Sequence, residues 1–276
     1  MPRMFWSLLT SLAIAYAAVV ALAWLFQKHL VYFPAVEREV TATPQAYGLP
    51  FEDVTLTTAD GEKLGAWWVP MEQARGTVLI FYGNAGNMSH RLDYLAMFHR
   101  LRYSTLIVDY RGYGRSTGTP SEQGTYRDAE AAWDHLRSVR GAKPEDVVIM
   151  GESIGGAVAA WLAARVAPRA LVLSSTFTSM PNLAAQLYPV LPVRLISRFS
   201  YDNLAALKAL KAPVLVAHSR NDDIVPFSHG RALFEAANEP KQFLEMQGGH
   251  NDAFLFVRPE WTAQLAAFLE RATAQK

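Results

Sequence analysis

The fold of this chain is decided by residues 147–156, which have the sequence VVIMGESIGG. The first four residues are apolar and mostly β-branched, as is typical of a short buried strand. The residues after the glycines are rich in alanine and contain no helix breaker before Pro168, which predicts a helix. A Gly-x-Ser-x-Gly motif between a strand and a helix is typical of a nucleophile elbow, a tight turn that projects the serine hydroxyl into a cleft. We therefore predict that Ser153 is a nucleophile.

Strands and helices alternate on both sides of this motif. The predicted strands cover residues 54–58, 64–69, 77–82, 105–109, 147–150, 170–174, 214–218 and 242–246. The predicted helices cover residues 89–101, 125–140, 157–165, 227–237 and 259–274. Asp60 and Gly61 form a hairpin signal between the first two strands. This order predicts an α/β fold with one doubly wound, mostly parallel sheet and an antiparallel edge hairpin.

The amino terminus carries an uncharged, mainly apolar run over residues 4–26. As a helix it would be about 34 Å long, against about 30 Å for the hydrocarbon core of a bilayer. We predict an uncleaved membrane anchor over residues 1–27, a connector over 28–50 and a catalytic domain over 51–276. A cleaved signal peptide is the alternative, although its apolar region is shorter, about 7–15 residues. The short basic amino terminus favours a catalytic domain outside the cytoplasm.

The composition excludes several classes of function. The formal net charge is +1, so the chain carries no electrostatic footprint for nucleic acid. It has no cysteine, which excludes disulfides, thiolate metal sites and cysteine nucleophiles. Gly112 and Gly114 follow a predicted strand but open a loop that contains Pro120, unlike a dinucleotide-binding turn. No cluster of histidine, aspartate or glutamate residues has the spacing of metal ligands. We therefore expect no cofactor and no metal.

A serine nucleophile needs a histidine base that is itself oriented by a carboxylate. Among the seven histidines, His250 lies on an irregular loop after the last predicted strand, where exposure suits proton transfer. His218 ends a strand and is expected to be a packed or hydrogen-bonded core residue. Asp222 and Asp223 follow that strand at the same edge of the sheet. One of these two aspartates should orient His250, and the other should be a turn residue or a helix-capping residue.

An acyl-transfer site also needs two hydrogen-bond donors for the developing oxyanion. The elbow supplies the backbone N–H of Ile154. The second donor is expected from the loop 83–87, where two glycines let backbone amides approach a substrate. Asn84 is the preferred donor, and Ala85 is the alternative.

Residues 178–201 interrupt the alternation of strands and helices. The segment is too apolar for a solvated loop and contains too many prolines for a single helix. It predicts a small helical cap over the cleft, in which Leu183, Leu187 and Leu191 would bind substrate. The alternative is an ordinary pair of crossover helices packed on the sheet.

With these motifs the chain resembles the α/β-hydrolase superfamily over about residues 28–272. The resemblance is to its N-terminally anchored serine hydrolases without a large cap domain, such as lysophospholipase-like esterases and protein depalmitoylases. It is carried by the motifs at residues 32–34, 58–61, 83–87, 109–116, 151–156, 222–226 and 249–252. In that family the acid is the aspartate four positions before the proline, which implies Asp222. The family has His-Gly where this chain has Tyr82 and Gly83.

The expected activity is hydrolysis of carboxylic esters or thioesters with short- to medium-chain acyl groups, through an acyl-enzyme on Ser153. The expected partners are a small-molecule or lipid substrate and the membrane, and no nucleic acid. A serine peptidase or amidase with the same residues is the enzymatic alternative, since a fold does not fix the bond that is cleaved. An inactive, membrane-tethered binding protein is the alternative outside enzymes.

Overall fold

The computed structural model describes residues 2–274, which form a sheet, its flanking helices and an N-terminal helix. The strands are β1 (Glu52–Thr57), β2 (Lys63–Val69), β3 (Thr77–Phe81), β4 (Ser104–Val108), β5 (Val147–Glu152), β6 (Ala170–Ser174), β7 (Val214–Ser219) and β8 (Lys241–Met246). The helices are α1 (Pro2–Leu25), α2 (Gln27–Val31), α3 (Leu92–Arg100), α4 (Glu122–Ser138), α5 (Ile154–Val166), α6 (Met180–Leu187), α7 (Val193–Ile196), α8 (Asn203–Ala209), α9 (Phe227–Ala236) and α10 (Pro259–Ala274).

The eight strands form one sheet in the order β1-β2-β4-β3-β5-β6-β7-β8. β2 pairs antiparallel with both β1 and β4, and the remaining pairs are parallel. Every residue of β3, β4, β5 and β6 is buried, as expected for parallel strands covered on both faces. The sequence prediction of a mostly parallel sheet with an antiparallel edge is thereby confirmed.

The chain reverses direction across the sheet at β3, which pairs with β4 on one side and with β5 on the other. Right-handed crossovers then place α3 on one face of the sheet and α4 and α5 on the opposite face. Such a reversal leaves a crevice at the carboxyl ends of the two strands concerned. The functional site is expected there, where β5 ends at Glu152 and β3 ends at Phe81.

Two short helices, α6 and α7, occupy the segment that was predicted as a cap. They lie between β6 and α8, and Leu183 and Val193 are their buried residues. Ser179 caps α6 by accepting a hydrogen bond from the backbone N–H of Asn182. The prolines divide the segment into two helices, because a proline inside a helix removes a backbone donor.

The N-terminal helix α1 projects from the domain. Residues Arg3–Leu25 have a mean hydropathy of 2.2 and are not buried inside the structure. The helix is long and apolar enough to cross a membrane, a property that it shares with signal sequences.

Residues 28–50, which we predicted as a connector, pack against the catalytic domain. The Tyr32 hydroxyl lies 2.6 Å from the hydroxyl of Tyr201, and Phe33 pairs with Ala85 as an isolated parallel bridge. Tyr32 is buried. The segment is therefore part of the structure that surrounds the carboxyl edge of the sheet.

Candidate active site

Ser153 occupies the turn between β5 and α5, with backbone angles of φ 52° and ψ −122°. A positive φ is uncommon for a residue with a Cβ and marks a strained turn. A Cβ on Gly151 would lie 2.3 Å from the carbonyl oxygen of Gly155, and a Cβ on Gly155 would lie 2.3 Å from that of Phe81. The motif therefore needs both glycines, because β3, β5 and α5 meet here at backbone contact.

The structure brings three predicted residues into one hydrogen-bonded series. Ser153 Oγ lies 3.1 Å from His250 Nε2. On the other side of the imidazole, His250 Nδ1 lies 2.8 Å from Asp222 Oδ2 and 3.1 Å from Oδ1. A carboxylate at Nδ1 favours the tautomer that carries its proton there, which leaves Nε2 able to accept the serine proton. The arrangement can activate a hydroxyl nucleophile.

Asp222 and Asp223 contact different parts of the same loop. The carboxylate of Asp222 is fully buried, and its Oδ1 accepts hydrogen bonds from the backbone N–H groups of Ile224 at 3.0 Å and Val225 at 2.7 Å. Asp223 Oδ1 instead accepts from the backbone N–H of His250 at 2.8 Å. This bond lowers the pKa of Asp223. The sequence motif did not decide which of the two aspartates orients His250. In the structure, Asp222 contacts the imidazole of His250.

His218 and His229 are buried side chains near Asp222. His218 Nε2 lies 2.9 Å from the carbonyl oxygen of Val225 and 3.5 Å from Asp222 Oδ2. His229 Nδ1 accepts a hydrogen bond from the backbone N–H of Thr178 at 3.1 Å. Burial lowers the pKa of both imidazoles and so favours their neutral form. His218 thus has the packed, hydrogen-bonded role that we expected.

The predicted oxyanion donors lie in the wall of the cavity that contains Ser153. Ile154 and Asn84 both line it, and so does Ala85. The Asn84 side chain donates to the carbonyl oxygen of Val31 at 2.8 Å. Since this side chain is engaged by the N-terminal segment, the donor that we predict from Asn84 is its backbone N–H.

Tyr82, which replaces the histidine of the resembled family, is fixed through buried hydrogen bonds. Its hydroxyl donates to Asp109 Oδ1 at 2.8 Å, and its carbonyl oxygen accepts from the hydroxyl of Tyr110 at 3.0 Å. The backbone N–H of Met88 also donates to Asp109 Oδ1, at 2.8 Å. Both ends of the loop 83–87 are therefore tied to one carboxylate. Burial raises the pKa of Asp109 to about 6.

A cavity of about 460 Å³ extends from Ser153 and His250 beneath the cap. The three leucines that we predicted as substrate-binding residues line it, and its apolar side chains include Phe177, Leu183, Leu187, Leu191, Ile196 and Phe199. Ala23, Gln27 and Leu30 contribute the wall on the N-terminal side. A larger surface cleft of about 680 Å³ between β1 and α4 contains none of the predicted site residues.

A buried ion pair beside Ser153 was not predicted from the sequence. Arg91 Nη2 lies 3.1 Å from Glu152 Oε1, and the side chains are 15% and 8% exposed. Both residues line the cavity, and the guanidinium lies 5.6 Å from the centroid of the Tyr82 ring. The signal for this pair was the position of Glu152, a charged residue at the end of a buried apolar strand, which requires a partner.

Comparisons with known proteins agree with this architecture. Residues 76–195 match a family model described as alpha/beta hydrolase fold. The uncharacterized protein Rv2307c of Mycobacterium tuberculosis is 39% identical over 244 residues, covering 87% of this chain and 86% of that protein. The alpha/beta hydrolase domain-containing protein WAV2 of Arabidopsis thaliana is 34% identical over 284 residues, with coverages of 94% and 92%.

Among solved structures, the Pyrococcus furiosus esterase Pf2001 superimposes with a TM-score of 0.70 at 21% identity, covering 84% of this chain and 95% of that one. The protein belongs to the α/β hydrolase family. This membership supports a hydrolase activity.

Proposed function

We propose that this protein is a serine hydrolase that cleaves carboxylic esters or thioesters with short- to medium-chain acyl groups. The observation that carries the proposal is the hydrogen-bonded series of Ser153, His250 and Asp222 at an apolar cavity. In this proposal Ser153 is the nucleophile, His250 is the general base and Asp222 orients the imidazole.

The first half-reaction would transfer the acyl group to the enzyme. Ser153 Oγ attacks the carbonyl carbon while His250 Nε2 takes the hydroxyl proton. The backbone N–H groups of Ile154 and Asn84 stabilise the oxyanion that develops on the carbonyl oxygen. His250 then gives its proton to the departing alkoxide or thiolate, so that an alcohol or thiol leaves and the acyl group remains on Ser153.

The second half-reaction would return the serine. A water molecule attacks the acyl carbon while His250 Nε2 accepts its proton, and the same backbone donors stabilise the second oxyanion. Collapse of this intermediate returns the proton from His250 to Ser153 Oγ and releases a carboxylic acid. These steps use only the side chains and backbone groups described above.

The proposal also places the enzyme at a membrane. In this proposal α1 is an uncleaved anchor, because the apolar run over residues 4–26 is longer than the apolar region of about 7–15 residues in a signal peptide. The basic amino terminus favours a catalytic domain outside the cytoplasm. A reporter enzyme that is active only outside the cytoplasm, fused to the carboxyl terminus, tests this orientation by its activity in intact cells.

Labelling with a fluorophosphonate probe tests the nucleophile. Ser153→Ala should abolish labelling and lower kcat for ester hydrolysis by about 10⁶. Ser175→Ala is the matched control, because Ser175 also has a positive φ, follows the neighbouring strand β6 and is buried. Substantial ester turnover by folded Ser153→Ala would contradict the proposal.

Parallel assays of ester and amide substrates with the same acyl group distinguish an esterase from an amidase.

A further inference from the structure

One face of α1 contacts the cap. Within α1, Val20 and Ala23 are partly buried, whereas the other residues between Arg3 and Leu25 are exposed. These two residues are three positions apart, which places their side chains on one side of the helix. Tyr16, four residues before Val20, donates its hydroxyl to the carbonyl oxygen of Val190 at 2.8 Å. The helix therefore reaches the cap along a defined face.

The other end of the cap is held by Gln27. Its Nε2 donates to the carbonyl oxygen of Ile196 at 2.6 Å, and its Oε1 accepts from the backbone N–H of Arg198 at 2.8 Å. The Arg198 guanidinium lies 5.3 Å from the centroid of the Trp24 ring. Arginine and tryptophan are both common at the boundary between lipid and water. This contact indicates the level at which α1 leaves the hydrocarbon.

The contact with Tyr16 sets how far the cap reaches along α1. Tyr16 precedes Leu25, the last residue of α1, by nine positions, which corresponds to about 14 Å along the helix axis. Half of the hydrocarbon core of a bilayer is about 15 Å thick. When α1 spans a membrane, the part of the cap near Val190 therefore lies within the hydrocarbon layer.

The surface of this part of the cap suits lipid. We define the cap tip as residues 187–196. Its exposed fractions are 44% for Leu187, 46% for Tyr188, 76% for Val190 and 88% for Leu195. An apolar surface of this kind next to a membrane-spanning helix is better matched to acyl chains than to water.

Most backbone N–H groups of the cap tip have hydrogen-bond partners within the protein. Pro189 and Pro192 carry no N–H, and the N–H groups of Tyr188, Leu191, Val193, Leu195 and Ile196 all donate within the segment 184–196. The carbonyl oxygens of Val190 and Ile196 accept from Tyr16 and Gln27 of the N-terminal helices. Backbone groups in hydrocarbon need such internal partners, since none is available from solvent.

The charges around the cap tip are those of a lipid-facing segment. Residues 180–201 contain no aspartate or glutamate, and their charged residues are Arg194 and Arg198. Both arginines are exposed. Long cationic side chains can bury their stems in hydrocarbon while the guanidinium reaches the phosphates of the lipid headgroups.

We infer that the cap tip is embedded in the acyl-chain region of the same bilayer that holds α1. The cavity beside Ser153 is walled by both elements, through Ala23 and Gln27 on one side and Leu187 and Leu191 on the other. It therefore opens toward lipid acyl chains, and the substrate class is an acyl ester or thioester that stays in the membrane while it is cleaved. This statement about the substrate rests on the proposed hydrolase activity, whereas the membrane contact rests on the proposed role of α1 as a membrane anchor.

The membrane contact is tested by single-cysteine labelling, because the natural chain contains no cysteine. A fluorophore on Val190→Cys in the full chain is compared with one on Val139→Cys, an exposed valine after α4. The vesicles contain phosphatidylcholine and phosphatidylglycerol, with and without nitroxides on the acyl chains. We expect lipid nitroxides to quench the label at position 190 and aqueous iodide to quench the label at position 139. Equal quenching of both labels by iodide would overturn the inference.

Turnover tests the route to the cavity. Leu195→Glu introduces a charge at the cap tip outside the cavity wall, and Val139→Glu is the matched control. Leu195→Glu should lower hydrolysis of a long-chain ester held in vesicles by about tenfold or more, because a carboxylate resists insertion into hydrocarbon. Hydrolysis of a soluble acetyl ester should not change. Unchanged vesicle turnover would overturn the route, whereas a wild type that cleaves neither ester would overturn the proposed function and leave the labelling result standing.

Discussion

At the scale of single residues, the site depends on two adjacent aspartates with different partners. The buried carboxylate of Asp222 meets the imidazole of His250, whereas Asp223 meets the backbone of the same residue. Asp222→Asn should lower kcat by about 10⁴, because the amide cannot hold the proton on Nδ1 in the same way. Asp223→Asn should cost far less, because an amide oxygen can still accept from the backbone N–H. Steady-state kinetics of the two purified variants measure the difference.

The opposite ranking of the two variants would identify Asp223 as the acid. Equal losses of kcat would instead mean that the position of the loop matters more than the carboxylate charge beside His250 Nδ1. A melting curve for each variant is the control, since both aspartates also hold the loop in place.

A second residue-scale prediction concerns Asp109, which fastens the loop beside the elbow. Its pKa of about 6 in the folded protein lies above the ordinary value of 3.8. The folded protein therefore keeps a proton that the unfolded chain releases between these pH values. The contribution of Asp109 to the free energy of unfolding should thus fall as pH rises through this range, by about 1.4 kcal/mol per pH unit.

Asp109→Asn removes this titration while keeping an oxygen that accepts the hydrogen bonds of Tyr82 and Met88. The difference in unfolding free energy between wild type and Asp109→Asn, measured by chemical denaturation at several pH values, should therefore change between pH 4 and 6. A difference that is constant with pH would mean that Asp109 is already ionised in the folded protein at pH 4.

At the scale of elements, the strands were the most predictable part of the molecule. Each strand lies within two residues of its prediction, because buried β-branched runs and the turns between them are local signals. The helix Asn203–Ala209 was missed, since its seven residues are too few to show a clear helical period. The packing of residues 28–50 was also missed, because the contact between Tyr32 and Tyr201 joins positions far apart in the chain.

The cap leads to a prediction about acyl-chain length. Its leucines line the cavity, and each methylene group that leaves water contributes about 0.8 kcal/mol. If this energy is realised in the transition state, three added carbons raise kcat/KM by tens-fold. We expect kcat/KM to rise from acetyl to medium-chain esters when it is measured below their critical micelle concentrations. A steady fall beyond acetyl would mean that the cap closes the cavity rather than lining an acyl groove.

At the scale of the whole molecule, the sequence predicted the parts better than their arrangement. The residues Ser153 and His250 were predicted because their motifs are local and their positions follow from strand order. The cap and the N-terminal helix were each predicted as segments. Their contact was not, because Tyr16 and Val190 lie 174 positions apart and no local pattern links them.

Removal of residues 1–27 tests how independent the catalytic domain is. The predicted site residues all lie after this segment, so a soluble domain that hydrolyses acetyl esters is expected. The deletion also removes Gln27, which holds the cap, and Ala23, which lines the cavity. The preference for longer acyl chains should therefore weaken several-fold, as measured by the ratio of kcat/KM for decanoyl and acetyl esters.

Gln27→Ala in the full chain is the matched control, since it removes the hydrogen bonds to the cap and keeps α1. A truncated domain that does not fold would mean that the N-terminal segment belongs to the core of the protein. An unchanged preference in both variants would mean that the cap keeps its position without the helix.

The contact with the cap requires that α1 keep one rotation about its own axis. The apolar composition of the segment does not indicate this requirement. Ala23 follows Tyr16 by seven residues within α1, a rotation that ends within about 20° of two whole turns. Inserting one residue between them would turn Tyr16 by about 100° relative to Ala23, so that Tyr16 could no longer reach Val190 while Ala23 lines the cavity. A generic apolar helix of equal length would still tether the protein to a membrane. Such a helix would not contact the cap. A replacement for α1 must therefore keep its contact residues as well as its hydropathy.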